Sequence, residues 1–194
     1  IDESFKISSE IIEYKIDESN LILITNVKLK DNVNNLIMES DKIEYDLKRR
    51  KIISQSLSEI IDEFNNIYKV KSFEYSINEK IIKLDNLIAL DDNKNSFLVD
   101  LAYLDLNKKE LIAKDISMNF KLIEASENEP RLKGRSLISN EKNTIVKKGT
   151  FTFCKKREKC PPWEMSADEI RHDKEKKTIY YKNASLKIYD KKIF

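Results

Sequence analysis

Six stretches of the chain carry one pattern: an apolar alternation, a polar tetrad and a second alternation. They read "IEYKIDESNLILITNVKL" from Ile12, "IEYDLKRRKIISQSLSEI" from Ile43, "FEYSINEKIIKLDNLIAL" from Phe73, "LAYLDLNKKELIAKDISM" from Leu101, "SLISNEKNTIVKKGTFTF" from Ser136 and "IRHDKEKKTIYYKNASLKIY" from Ile170. Starts spaced by about thirty residues mark one supersecondary unit used repeatedly. Alternation such as Ile43, Tyr45, Leu47 or Phe73, Tyr75, Ile77 puts those side chains on one face of a strand and the charged ones on the other. The tetrads "DESN", "KRR", "NEK", "NKK", "NEKN" and "DKEK" bring in Asn and Asp, which tolerate left-handed backbone angles, so each unit predicts a hairpin. Longer links, "DNVNN" at Asp31 to Asn35 and "DDNKN" at Asp91 to Asn95, join one hairpin to the next.

About twelve antiparallel strands with one apolar face predict an all-β fold of two antiparallel sheets, a sandwich, jelly roll or β-solenoid, with residues 1–194 as one domain. One segment pulls the other way: Leu57, Ile60, Ile61 and Phe64 have helical spacing, and Ser56 with Glu59 would form a capping box. In the repeat frame "SEIIDE" takes the place of "TNVKL" and "DNLIAL", which favours a strand, with "FNN" at the turn between hairpins. Only Gly134 and Gly149 are glycines, so Asn and Asp are expected to do the turning. "KLIEASENEPRLKGRS", Lys121 to Ser136, reads as a long loop because it is polar and holds Pro130 and Gly134.

Charged residues make up 36 % of the chain, yet the net charge is only +2, so the two signs are interspersed. A nucleic-acid binder would concentrate basic charge on one face, and "LKRRKI" at Leu47 to Ile52 is too short to count. No run reaches the ~18 apolar residues of a membrane-spanning helix. The start, "IDESFKISSE", has neither a methionine nor a signal-like segment and reads as a processed or excerpted fragment.

Carried through the chain, the alternation builds an inner face from Val27, Leu29, Ile43, Tyr45, Phe73, Tyr75, Ile88, Leu101, Tyr103, Ile116, Met118, Phe151, Phe153, Trp163, Met165, Leu186 and Ile188. Either these side chains pack against each other as a filled core, or the sheets stand apart in a V and the face lines a groove for an apolar ligand. The pattern is the same for both.

Chemistry-bearing residues gather in "FTFCKKREKCPPWEMSADEIRHD", Phe151 to Asp173, which holds both cysteines and the only tryptophan and histidine. Zinc would need four ligands at recognisable spacing, and Cys154, Cys160 and His172 do not supply them. His172 sits in the slot held by Tyr14, Tyr45 and Tyr75 in other units, a packing position on a strand. With no second histidine, glycine-rich phosphate loop or catalytic carboxylate pair, the chain reads as neither an enzyme nor a cofactor or metal protein. A disulfide is the remaining use of the cysteines, either Cys154 to Cys160 across "KKREK" or each to a cysteine elsewhere. A local bridge would contribute about 2 to 2.5 kcal/mol and needs an oxidising compartment.

The order "GTFTFC", a cysteine-bearing turn and "PPWEMSADEIRHDKEKKTIYYKNASLKIYDKKIF" resembles the N-terminal region of the lipopolysaccharide-assembly proteins of the LptD or OstA family. The match runs through Cys154, Trp163, Ala167, Ile170, His172, Asp173, Asn183 and Ala184, and the preceding repeats resemble the shared OstA-type units of that transport system. The resemblance implies an OstA/LptA-type β-jelly roll on the periplasmic side of the outer membrane, with an outer-membrane barrel following it. Its apolar interior would receive lipopolysaccharide acyl chains from a periplasmic bridge protein of the same fold, joined by edge-strand pairing at Phe5 to Ile16, and pass them toward the barrel. The resemblance also implies an LptE-type lipoprotein partner of the barrel and disulfides from N-terminal cysteines to the far end of the barrel chain, with Cys154 at the family position and Cys160 beside it. The rival reading is a structural or adhesive β-repeat domain with a filled core and no ligand.

Overall fold

The computed structural model describes residues 4–63, 65–90, 96–119, 129–154, 162–189 and 191–193. Among them every regular element is a strand. In chain order these are Phe5–Ser8 (β1), Ile11–Lys15 (β2), Asn20–Asp31 (β3), Leu36–Asp46 (β4), Lys51–Ser54 (β5), Ser58–Ile61 (β6), Ile67–Val70 (β7), Ser72–Ser76 (β8) and Ile81–Leu90 (β9). There follow Ser96–Asp105 (β10), Glu110–Asn119 (β11), Glu129–Ser139 (β12), Asn143–Cys154 (β13), Trp163–Asp173 (β14), Thr178–Lys182 (β15), Ser185–Ile188 (β16) and Lys191–Lys192 (β17). All seventeen join one hydrogen-bonded antiparallel network, an all-β fold.

The described residues hold more strands than the dozen expected because long strands are shared between two shorter ones. β4 pairs β5 through 44–46 and β6 through 37–40, and β9 likewise serves both β7 and β8. Each long strand therefore has two halves, one in a near arm that carries the tetrad hairpins and one in a far arm. The segment of helical spacing is strand β6, as the repeat frame requires, with Ile60 fully buried and Leu57 exposed.

The halves meet along one line of corners. Thr25, Asn26, Asn86, Asp115 and Lys148 lie inside long strands at φ between 51° and 64°. The ladder skips the pairs Asn86 with Asp100, Asp115 with Asp100 and Arg135, and Lys148 with Asp168. A skipped rung reverses which residues face inward, since strand side chains alternate with period two. In β5 and β6 the corner is a break, filled by hydroxyls: Ser58 Oγ lies 3.0 Å from both Ser54 Oγ and Ser40 Oγ. Both glycines sit at this line with φ outside the left-handed region, so close approach is what they supply. A Cβ on Gly149 would lie 2.6 Å from Ile170 Cδ1, and one on Gly134 would collide with Val146 Cγ1.

The tetrads do turn the chain, by a division of labour. The Asx residue before or within each turn accepts backbone N–H groups: Asp46 from Arg49 at 2.8 Å, Asp105 from Lys108 at 3.0 Å, Asp173 from Lys176 at 2.9 Å. The left-handed place that closes the turn belongs instead to Ser19, Arg50, Lys80, Lys109 and Lys177, at φ between 51° and 56°. The stretch from Lys121 is not one long loop, because Pro130 and Gly134 lie within β12, whose Pro130 is in register with Phe153. The "DDNKN" link and residues 120–128 lie outside the described residues.

The apolar faces of the two arms meet as the core. Leu23, Leu29, Leu36, Met38, Ile43, Ile52, Ile60, Phe73, Tyr75, Ile82, Leu84 and Leu87 are fully buried, each worth about 1.5 to 3 kcal/mol. Side-chain contacts tie arm to arm. The Phe5 ring on the far arm meets Tyr45 on the near arm edge-on at 6.0 Å, and Tyr75 Oη donates to Asp31 Oδ2 at 2.8 Å.

Candidate functional site

One inward-facing row crosses the whole far arm. Ile7, Leu29, Met38, Ile60 and Tyr68 occupy successive register positions, followed by the Ala89 position. Phe97, Met118, Leu132, Phe151, Met165 and Leu186 continue it to the last strands. Every member is apolar or aromatic, so the row keeps one polarity from end to end.

Its burial is uneven. Leu29, Met38 and Ile60 are fully covered, and Met118 and Leu132 are buried, but Phe151, Met165 and Leu186 are only half-buried. Beyond them on the same face Phe153 is 38 % exposed and Ile188 41 %. Trp163, in register with Ile188, leans on Phe151 with ring centroids 6.1 Å apart. The interior is thus a filled core under β3 to β9 and an open apolar face on the far-arm ends of β13, β14 and β16.

The expected inner-face residues divide accordingly. Val27, Leu29, Ile43, Tyr45, Phe73, Tyr75, Ile116 and Met118 are buried together, while Phe151, Phe153, Trp163, Met165, Leu186 and Ile188 line the open part. Ile88, Leu101 and Tyr103 face outward, with Ile88 45 % and Tyr103 39 % exposed. The corner at Asn86 and Asp100 reverses the alternation, so Leu87, Val99, Ala102 and Leu104 take the inside places. Paired polar residues in mid-strand, such as "DN" in "KLDNLIAL", were the signal for this.

The polar groups in the interior are structural. Asp31, buried, accepts from Tyr75 Oη, from the backbone of Val33 and Asn34, and from Asn34 Nδ2 at 2.7 Å. Burial, then the Asp31 hydrogen bond, pushes the Tyr75 phenol far above its ordinary range, and burial and Asp62 do the same for Tyr68, whose Oη donates to Asp62 at 2.8 Å. At the corner line Lys148 donates to Asp168 at 2.6 Å and holds its carboxyl below the usual range, helped by Asn183 at 2.8 Å. His172 lies in register with Thr144 and Ile179, in the same near-arm row as Tyr14, Tyr45 and Tyr75. Among the described residues no cluster of three His, Cys, Asp or Glu could hold a metal. Cys160 and the Cys154 side chain lie outside the described residues.

No protein-family model and no curated protein matches the chain. Among solved structures it is similar to LptH from Pseudomonas aeruginosa, the LptA-homologous periplasmic component of the lipopolysaccharide transport device. Identity is 5 % and the TM-score 0.25, over 91 % of this chain and 80 % of that one, an overlay too loose to carry an argument about function.

Proposed function

We propose that the chain is a lipid-conducting jelly roll of the lipopolysaccharide-assembly type. The observation that carries this is the apolar row from Ile7 to Leu186, whose last three members are only half-buried. No bond is made or broken. An acyl chain leaving water for this face gains about 0.8 kcal/mol per methylene, and it moves on readily only to a surface of similar polarity. Phe151, Phe153, Trp163, Met165, Leu186 and Ile188 are the contact residues, and the barrel expected to follow would take the lipid from there.

The bridge partner of the same fold would add a strand at the N-terminal edge. There, among the described residues, β1 and β2 pair only with β3, and Ile12 and Tyr14 stand more than half exposed on the row positions that lead inward. At the other end β17 covers part of β16, which leaves the N-terminal edge the longer template. An LptE-type lipoprotein would meet the barrel, and the periplasm would supply the oxidising conditions for Cys154 and Cys160.

The rival reading, a structural repeat domain, draws on the sealed interior under β3 to β9. A photocrosslinking residue at Met165 should capture lipopolysaccharide and one at Ile112 on the outer face should not. Absence of capture at Met165, Phe151 and Leu186 alike would leave the filled-core reading standing.

A further inference from the structure

The near-arm row changes character towards its C-terminal end. Tyr45, Ile52, Tyr75, Ile82, Leu104 and Leu111 are succeeded by Ser139, Thr144 and His172 at consecutive register positions. The rim changes with it. In three hairpins the first turn residue, Leu47, Ile77 or Leu106, packs on the core, and each donates its backbone N–H to the last residue of the neighbouring turn, Ser19, Arg50 or Lys80. Lys174 makes the equivalent bond to Lys142 at 2.8 Å. It therefore occupies the same place, with an ammonium where the others carry a branched hydrocarbon.

That ammonium is held in position. Lys174 Nζ donates to Asn140 O at 2.6 Å and to Ser139 Oγ at 3.3 Å, and Ser139 Oγ lies 2.9 Å from Thr144 Oγ1. An ammonium has three donors, so one remains. Both partners are neutral, and burial alone holds the group below the usual lysine range with no carboxylate offsetting it. Lys174 is exposed, so an anion can reach this ammonium, and a charge-assisted bond is the strong kind. β13 and β14, which hold Thr144 and His172, also carry Phe151 and Met165 across the corner line, so the polar lip and the open apolar face are the two ends of one strand pair.

We propose that Lys174, backed by Ser139, Thr144 and His172, is the subsite for a phosphate-bearing headgroup of the lipid whose chains lie on the open face. It rests on the lipid reading of the interior. A chain-bearing phosphate engages both ends of this strand pair at once, whereas free phosphate reaches only the lip.

The test compares binding of diphosphoryl lipid A, its dephosphorylated form and inorganic phosphate to the full chain and to Lys174→Leu and Lys174→Arg. Leucine stands at two of the three equivalent places, Leu47 and Leu106, and retained binding of the dephosphorylated lipid reports that the variant is folded. The proposal expects Lys174→Leu to weaken diphosphoryl lipid A about tenfold, with the dephosphorylated form unchanged and the arginine variant near wild type. It is overturned if Lys174→Leu binds both lipids like wild type, if it loses both equally, or if inorganic phosphate alone binds as tightly as the lipid. If wild type binds both lipids with equal affinity, the lip fails and the lipid reading stands; if it binds neither, both fall.

Discussion

The Tyr75 hydroxyl donates to the Asp31 carboxylate at 2.8 Å, joining residues 44 positions apart and on opposite arms. Asp31 also organises its own turn through Val33 and Asn34, so one buried carboxylate fixes a local turn and the closure of the interior together. Tyr75→Phe should lower stability by about 1 to 2 kcal/mol, since Asp31 keeps its other donors; Asp31→Ala should cost more, because it removes the turn cap as well. Urea titrations of the two variants and the double mutant would check both the order and the coupling.

Alkaline pH should unfold the chain through the same group. A phenol whose folded pKa is raised binds its proton more tightly when folded. Its stabilisation is whole below the unfolded value of about 10 and declines as pH rises beyond it. Melting temperature should therefore fall steeply above pH 10, and Tyr68→Phe with Tyr75→Phe should flatten the slope. An unchanged slope in the double variant would show that other groups dominate.

The glycines make an ordered prediction. Gly134→Ala drives a methyl into Val146, which is stiff and buried, whereas Gly149→Ala meets the mobile end of Ile170. Both should destabilise by about 1 to 3 kcal/mol, Gly134→Ala the more, and Val146→Ala should restore part of that loss. Denaturant midpoints of the single and paired variants decide it.

Thr25 offers a gain. A β-branched residue at φ 64° bears a steric cost of about 1 to 2 kcal/mol that glycine escapes, at an entropic cost of about 0.5 to 1. Thr25→Gly should raise the thermal midpoint slightly; a drop would mean that the threonine side chain contributes more than its backbone strain removes.

Edge pairing can be probed without disturbing the core. Ile12→Lys with Tyr14→Lys places two cations on the exposed edge strand, where they should leave the melting temperature almost unchanged. They should abolish capture by a same-fold partner in crosslinking; full capture would move the junction away from this edge.

The repeat made the hairpins legible because turn and alternation agree within each unit. It also placed His172 in the tyrosine row, where the register puts it. Two features were hidden by the same cause. The alternation was carried straight through Asn86 and Asp100, which turned Ile88, Leu101 and Tyr103 inward on paper, and Pro130 and Gly134 looked like loop residues when they belong to a strand beside a corner. A single sequence marks a corner only by two adjacent polar residues, which elsewhere are just the outer face. The uneven covering of the inner row was equally out of reach, since Met118 and Met165 read alike in the pattern and differ only in what lies over them.

The corner line works as the spine of a book. Because Asn86, Asp115 and Lys148 bend successive strands along one crease, the arms behave as covers rather than as independent walls. Tyr75 and Asp31 act as a clasp under the first half, so the free fore-edge lies at Phe153 and Ile188, and a guest there would be admitted by splaying the last leaves while the bound ones stay shut.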